Sequence, residues 1–156
     1  VLAFCGPGAW AQYPPGYGGG QQGYGEEPAD AGLDRYTQLQ QEATDAFNRG
    51  EMSKAIELFE QSVPLATGQS LAAAHNNLAA AYMRRGNYFG NQQKDYRKAA
   101  DDYRSAYYLL GPGWPADAEK RDLHDENTKI AKQNLQGAYQ HLGIAPKDAA
   151  KHVEMA

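Results

Sequence analysis

Residues 84–103 read RRGNYFGNQQKDYRKAADDY, and the fold turns on how this stretch is parsed. Gly86-Asn87-Tyr88 has the composition of a tight turn between two helices, yet no second helix follows at once. Seven residues later Asp95-Tyr96 offers the same turn again, and only then does an alanine-rich helical stretch begin. The segment is either one helical hairpin carrying an insert or two unrelated elements.

The neighbouring sequence decides between them. From Leu33 onward the apolar residues recur at helical spacing, and no segment alternates as a strand would. Turn residues divide this region into five helices. The first is predicted over Asp34–Asn48, ending at Gly50, where glycine accepts a left-handed backbone. The second starts at Ser53 as N-cap and runs through Ala55, Ile56, Phe59 and Val63. Gly68 breaks the chain, Ser70 caps a third helix, and that helix ends at Gly86. The fourth begins at Asp95 and stops at Gly111-Pro112-Gly113. The fifth runs from Pro115 to Leu142, about 27 residues and about 40 Å. Pro146 opens a short sixth.

A repeat emerges from this division. Leu78, Ala79, Tyr82 and Gly86, followed by Tyr96, Ala99, Tyr103 and Ala106, have the spacing of the two helices of a tetratricopeptide repeat, a family the chain resembles. Small residues at the helix contacts let the backbones approach while aromatics fill the groove between them. Residues 84–103 are thus one hairpin with about eight extra residues, Asn87 to Lys94, at its tip. Gly50, Ala55, Ile56 and Phe59 repeat the pattern upstream; Leu135, Tyr139 and Gly143 repeat it downstream. The resemblance spans residues 34–153, with departures: Phe47 falls one position late, Ser62 replaces a small apolar residue, and the closing proline is poorly matched. It implies an all-α fold in which about two and a half helix-turn-helix repeats stack as a short right-handed α-solenoid.

Such arrays hold an extended peptide, or a partner's helix, on a concave face lined by the first helix of each repeat. Carried over residue by residue, that face consists of Gln40, Thr44 and Asn48, then Asn76, Asn77, Ala80 and Arg84, then Gln133, Gly137, Gln140 and His141. Its amides both donate and accept, which suits a peptide backbone, and Arg84 is its one cation. Only Asn77 matches the pattern of family members that clamp a C-terminal carboxylate, so that activity is not implied. The same positions also read as ordinary solvated helix faces.

The amino-terminal region differs. Nine of the 17 Gly and four of the eight Pro lie in residues 1–32. Residues 12–32 are expected to be a disordered Gly/Pro/Tyr/Gln-rich tail, too poor in apolar residues to offset ordering entropy. Residues 1–11, VLAFCGPGAWA, read as the carboxy-terminal part of a signal peptide, with Ala9-Trp10-Ala11 as the small-x-small boundary. The expectation is an exported bacterial protein (periplasmic, cell-surface or extracellular) with a mature start at Gln12, and the helical domain over 33–156. Phe4 stands where a lipoprotein has a small residue, which argues against a lipid anchor on Cys5. Cys5 is the single cysteine.

Three of the 19 acids and none of the 15 bases lie in residues 1–32, leaving sixteen acids against fifteen bases. That balance argues against nucleic acid as a partner. No apolar run approaches the length of a membrane span. The densest titratable cluster, Asp122, His124, Asp125 and Glu126, has no metal-ligand or nucleophile–base spacing and reads as a solvated charged face. His75, His141 and His152 are scattered, and no Gly-rich loop joins a strand to a helix. The expectation is therefore a non-catalytic interaction module or scaffold with no cofactor and no metal, binding a protein or peptide in the groove. The alternative is a self-assembling structural protein. For that role the sequence offers an aromatic patch of Tyr88, Phe89 and Tyr108, the tyrosines of the tail, and an overlong fifth helix whose Ile130, Leu135 and Tyr139 would pair two copies.

Overall fold

The computed structural model describes residues 30–111 and 118–144, except for the side chains of residues 30, 31, 69 and 118–124. The first eleven residues, the tail up to residue 29 and the helix expected after Pro146 lie outside the described residues.

Five α-helices and no strand are present among the described residues. Helix α1 spans Asp30–Asn48, so the last three residues assigned above to the tail are helical. It ends in a Schellman motif: Gly50, at φ 82°, donates its N–H to the Phe47 carbonyl while Glu51 donates to Ala46. Helix α2 covers Met52–Ser62 and tightens into a 3-10 turn over Val63–Leu65. Ser53 is not its cap, since the helix has already begun one residue earlier. Helix α3 spans Gln69–Asn87 and starts after Gly68, whose φ is 54°. Ser70 does not cap it either; its hydroxyl accepts from the Thr67 N–H and donates to the Thr67 carbonyl, locking the preceding turn.

The predicted stop at Gly86 is absent. α3 runs through Asn87 and passes directly into a π-helical segment over Tyr88–Gln93, which Lys94 ends in a left-handed conformation at φ 58°. Asp95 then caps α4 (Tyr96–Leu109), its carboxylate accepting from the Lys98 N–H at 3.1 Å. Helix α5 spans Ala118–His141 and ends, like α1, in a Schellman motif, with Gly143 at φ 73° and Ile144 bonded back to Tyr139.

Packing follows chain order: α1 against α2, α2 against α3, α3 against α4 and α4 against α5. Two cores result. Ala43, Ala46, Ala55, Ile56, Phe59, Leu78 and Ala81 fill the first, among α1, α2 and α3. The second lies among α3, α4 and α5 and includes Met83, Ala99, Tyr103, Ala106, Leu110, Ala131, Leu135 and Tyr139. α3 supplies both, Leu78 and Ala81 on one side and Ala79 and Met83 on the other, while Tyr82 and Leu109 touch the two cores at once. The alanines set the separation, since a methyl group at each crossing lets the helices close on one another.

At Gly86, α3 leaves no room for a side chain against α4. A Cβ there would lie 2.8 Å from Cε1 of Tyr103 and 3.2 Å from Cβ of Asp102. Gly86 is therefore a contact residue inside a helix, and its place in the sequence pattern marks a close approach rather than a turn. Tyr103 in turn donates its hydroxyl to Asn87 at 2.9 Å, tying the end of α3 to α4.

Candidate partner-binding face

α1 and α3 lie side by side and parallel, joined by three rungs in ascending order. Tyr36 donates to the Ser70 carbonyl at 3.2 Å, Asn77 to the Gln40 side chain at 2.8 Å, and Arg84 to the Phe47 carbonyl at 3.1 Å. The sequence-assigned groove residues of these helices therefore meet, but several of them are engaged with each other.

Gln40 is 6% exposed and belongs to the interior. Its amide N–H donates to Ser62 Oγ at 2.7 Å, and Ser62 donates on to the Phe59 carbonyl. Ser62, fully buried where the repeat pattern has a small apolar residue, is the polar anchor of this chain of bonds. Asn76 is also buried and donates to the Ala72 carbonyl one turn back. Assigning Gln40 and Asn76 to an open groove is corrected on this ground. Thr44 is half-buried and its hydroxyl donates to the Gln40 carbonyl.

Arg84 is exposed, yet its guanidinium has a structural task. It caps a carbonyl at the carboxy-terminal end of α1, where the helix dipole favours a cation, and lies 4.7 Å over the Phe47 ring. The cation that the sequence places in the groove thus spends one guanidinium nitrogen on α1. Asn48, Gln133 and Gln140 are exposed, Asn77 and Gly137 half-buried, and Ala80 buried. His141 is exposed and stacks on Tyr96 at the start of α4, with ring centroids 4.1 Å apart and planes 9° apart, so it serves the α4–α5 junction.

The proposed self-association face is covered within the chain. Leu135 is 0% exposed and Tyr139 5%, both packed in the second core, and half-buried Ile130 lies against the same core. The long helix packs on α4 and shares the second core with α3, which removes the reason for a second copy to cover these residues. Lys129, Lys132, Gln133 and Gln140 are exposed, so the outer side of α5 is polar. The aromatic patch also divides. Tyr88 and Phe89 are neighbours at the π-helical tip, with ring centroids 6.1 Å apart. Tyr108, 69% exposed, stands twelve residues along α4 from Tyr96, about 18 Å away.

Sequence reasoning missed a charged and aromatic ladder between the hairpins. Arg85 binds the buried Asp102 through two parallel bonds, of 2.9 and 2.8 Å. The guanidinium lies 5.5 Å over the Tyr82 ring and 6.0 Å over Phe89, whose ring also takes Lys98 Nζ at 5.4 Å. Tyr82 donates its hydroxyl to Glu60 of α2. Burial first, and then the Glu60 carboxylate, push the Tyr82 phenol up to about 12. Burial likewise raises Tyr103 to about 12. The available signal was Tyr82 and Arg85 three residues apart on one helix face.

Asp125 and Glu126 are exposed, whereas the side chains of Asp122 and His124 lie outside the described residues. Among the described residues no group of three or more His, Cys, Asp or Glu is arranged to hold a metal ion, and no helix is long and apolar enough to cross a membrane. His75 is half-buried, and burial lowers its imidazole below the ordinary value. No protein-family model matches the chain, and no curated protein and no solved structure matches it.

Proposed function

We propose that the protein is a non-catalytic interaction module, a short tetratricopeptide-like solenoid of an exported protein that holds an extended peptide segment of a partner along α1, α3 and α5. The observation carrying this reading is the parallel α1–α3 pair, joined by its three rungs. Parallel first helices of successive hairpins are what a repeat solenoid requires, and the face they share is the one such arrays use for ligands.

Within that face the donors and acceptors left over suit a peptide backbone. Asn77 spends its N–H on Gln40 but keeps a carbonyl oxygen without a bond among the described residues. Arg84 uses one guanidinium nitrogen on Phe47 and has others to spare. The two residues are seven apart, two helical turns or about 10.5 Å, close to the span of three residues of an extended peptide. Exposed Asn48, Gln133 and Gln140 extend the polar lining.

Screening the protein against an array of extended peptides tests the reading. Sequences that bind should lose about tenfold or more in affinity on Asn77→Ala or Arg84→Lys, for loss of one or two hydrogen bonds, the second being charge-assisted. An array without binders, or binders indifferent to both substitutions while helicity is retained, would refute it.

A further inference from the structure

We propose that the π-helical tip of the α3–α4 hairpin binds the acidic, tyrosine-bearing segment around Tyr24–Glu27 of a second copy of this chain. Tyr88, Lys94 and Arg97 are not among the residues assigned to the α1–α3 face, so the inference neither needs nor excludes a peptide in the groove.

The tip has the composition of a recognition surface. Tyr88 is 52% exposed, and half-buried Phe89 is held beside it. Gln93 donates to the Tyr88 hydroxyl at 3.3 Å, which steadies the ring while leaving its face open. Lys94 follows directly, both its N–H and that of Asp95 returning to the Phe89 carbonyl, so the chain doubles back at this lysine. Arg97 stands one turn further, in the first turn of α4. Lys98 is paired with Asp95 at 3.2 Å, whereas Lys94 and Arg97 are exposed and have no ion pair among the described residues. Two cations without an ion pair among the described residues thus follow two aromatic rings in the stretch Tyr88–Arg97, next to a segment of uncommon helical geometry of the kind often found at functional sites.

The complementary chemistry is in the same chain. Residues 23–30 read GYGEEPAD, and no Lys or Arg occurs before Arg35. One tyrosine, two adjacent glutamates and flanking glycines supply a ring for Tyr88, charges for Lys94 and Arg97, and little steric bulk. The segment cannot serve its own tip. Arg84 on Phe47 places the tip beside the carboxy-terminal end of α1, about 26 Å along the helix from Asp30. The three residues from Glu27 to Asp30 span only about 10 Å when fully extended. A neighbouring copy lying antiparallel brings its own α1 start to this end. The contact therefore closes as a reciprocal pair or continues as an open chain.

Charge reversal tests this with the whole chain. The parent protein should associate reversibly in sedimentation velocity at hundreds of micromolar, and the association should weaken as salt is raised. A tip variant, Lys94→Glu with Arg97→Glu, and a tail variant, Glu26→Lys with Glu27→Lys, should each weaken it about tenfold or more, because like charges then face each other. Mixing the two variants should restore association, since the acidic tip of one now meets the basic tail of the other. Circular dichroism establishes that both variants retain their helicity. Should the tip variant fail to fold, Tyr88→Ser replaces it and should weaken association without altering its salt dependence. A parent that stays monomeric, an association insensitive to both reversals, or variants that do not associate when mixed would overturn the proposal.

Discussion

Replacing Gly86 by alanine sets two effects of opposite sign against each other. In an unconstrained helix the change stabilises by about 0.5–1 kcal/mol, because glycine loses more backbone freedom on folding. Here the new methyl would stand 2.8 Å from Cε1 and 2.9 Å from Cδ1 of Tyr103, and 3.2 Å from Cβ of Asp102. Neither neighbour can yield cheaply. The Tyr103 ring is 2% exposed and anchored through its hydroxyl to Asn87, and Asp102 is fixed by both bonds from Arg85. Forcing a methyl into such a contact costs about 1–3 kcal/mol, so the net expectation is a loss of about 1–2 kcal/mol. Urea unfolding followed at 222 nm measures it directly. A double-mutant cycle with Tyr103→Leu should show the alanine's cost shrinking by about 1 kcal/mol once the ring is gone. A Gly86→Ala protein as stable as the parent, or more so, would refute the account of this contact.

Three further outcomes are expected. Asp102→Asn should destabilise by about 1.5–3 kcal/mol in the same assay, since it removes the charge from a buried carboxylate bonded twice to Arg85. Lys94→Gly should stabilise by about 0.5–1 kcal/mol, read as a raised melting temperature, because the lysine holds a left-handed backbone that glycine adopts freely. Tyr82 and Tyr103 both have folded-state values raised to about 12 from 10.0, so their contribution is complete below pH 10 and is lost as pH climbs toward 12. Stability should therefore fall over that interval, and less steeply in Tyr82→Phe.

The helices themselves were legible because their signals are local. Apolar spacing located all five, and Gly50 and Gly143 marked the ends of α1 and α5 by backbone requirement alone. The hairpin over residues 84–103 was legible too, through small residues and aromatics at matching offsets on its two helices. Gly86 shows the limit of that reading: glycine at a predicted turn and glycine at a helix crossing look the same in sequence, and only the partner ring distinguishes them. The candidate face was harder to read. Gln40 and Asn76 sit at polar positions of a helical pattern, and whether such a side chain meets solvent depends on what another helix presents. Gln40 is interior because Ser62, twenty-two residues away, offers it a hydroxyl. Leu135 and Tyr139 depended on a similar non-local fact, the return of α5 onto α4. No periodicity within α5 could have supplied it.

The shared residues of the two cores bear on how the molecule comes apart. Repeat arrays held only by neighbour stacking can fray from one end, each unit melting with its own midpoint. Here Tyr82 and Leu109 sit in both cores, and the bonds running from Asn77 through Gln40 to Ser62 link three helices drawn from two hairpins. Opening the first hairpin strips Asn77 of its partner and uncovers Leu78 and Ala81, while opening the second removes α3, against which the first is built. Neither hairpin keeps an intact interior alone. Amide protons of α1 and of α4, though they share no direct rung, should thus exchange through one common opening rather than through two independent ones.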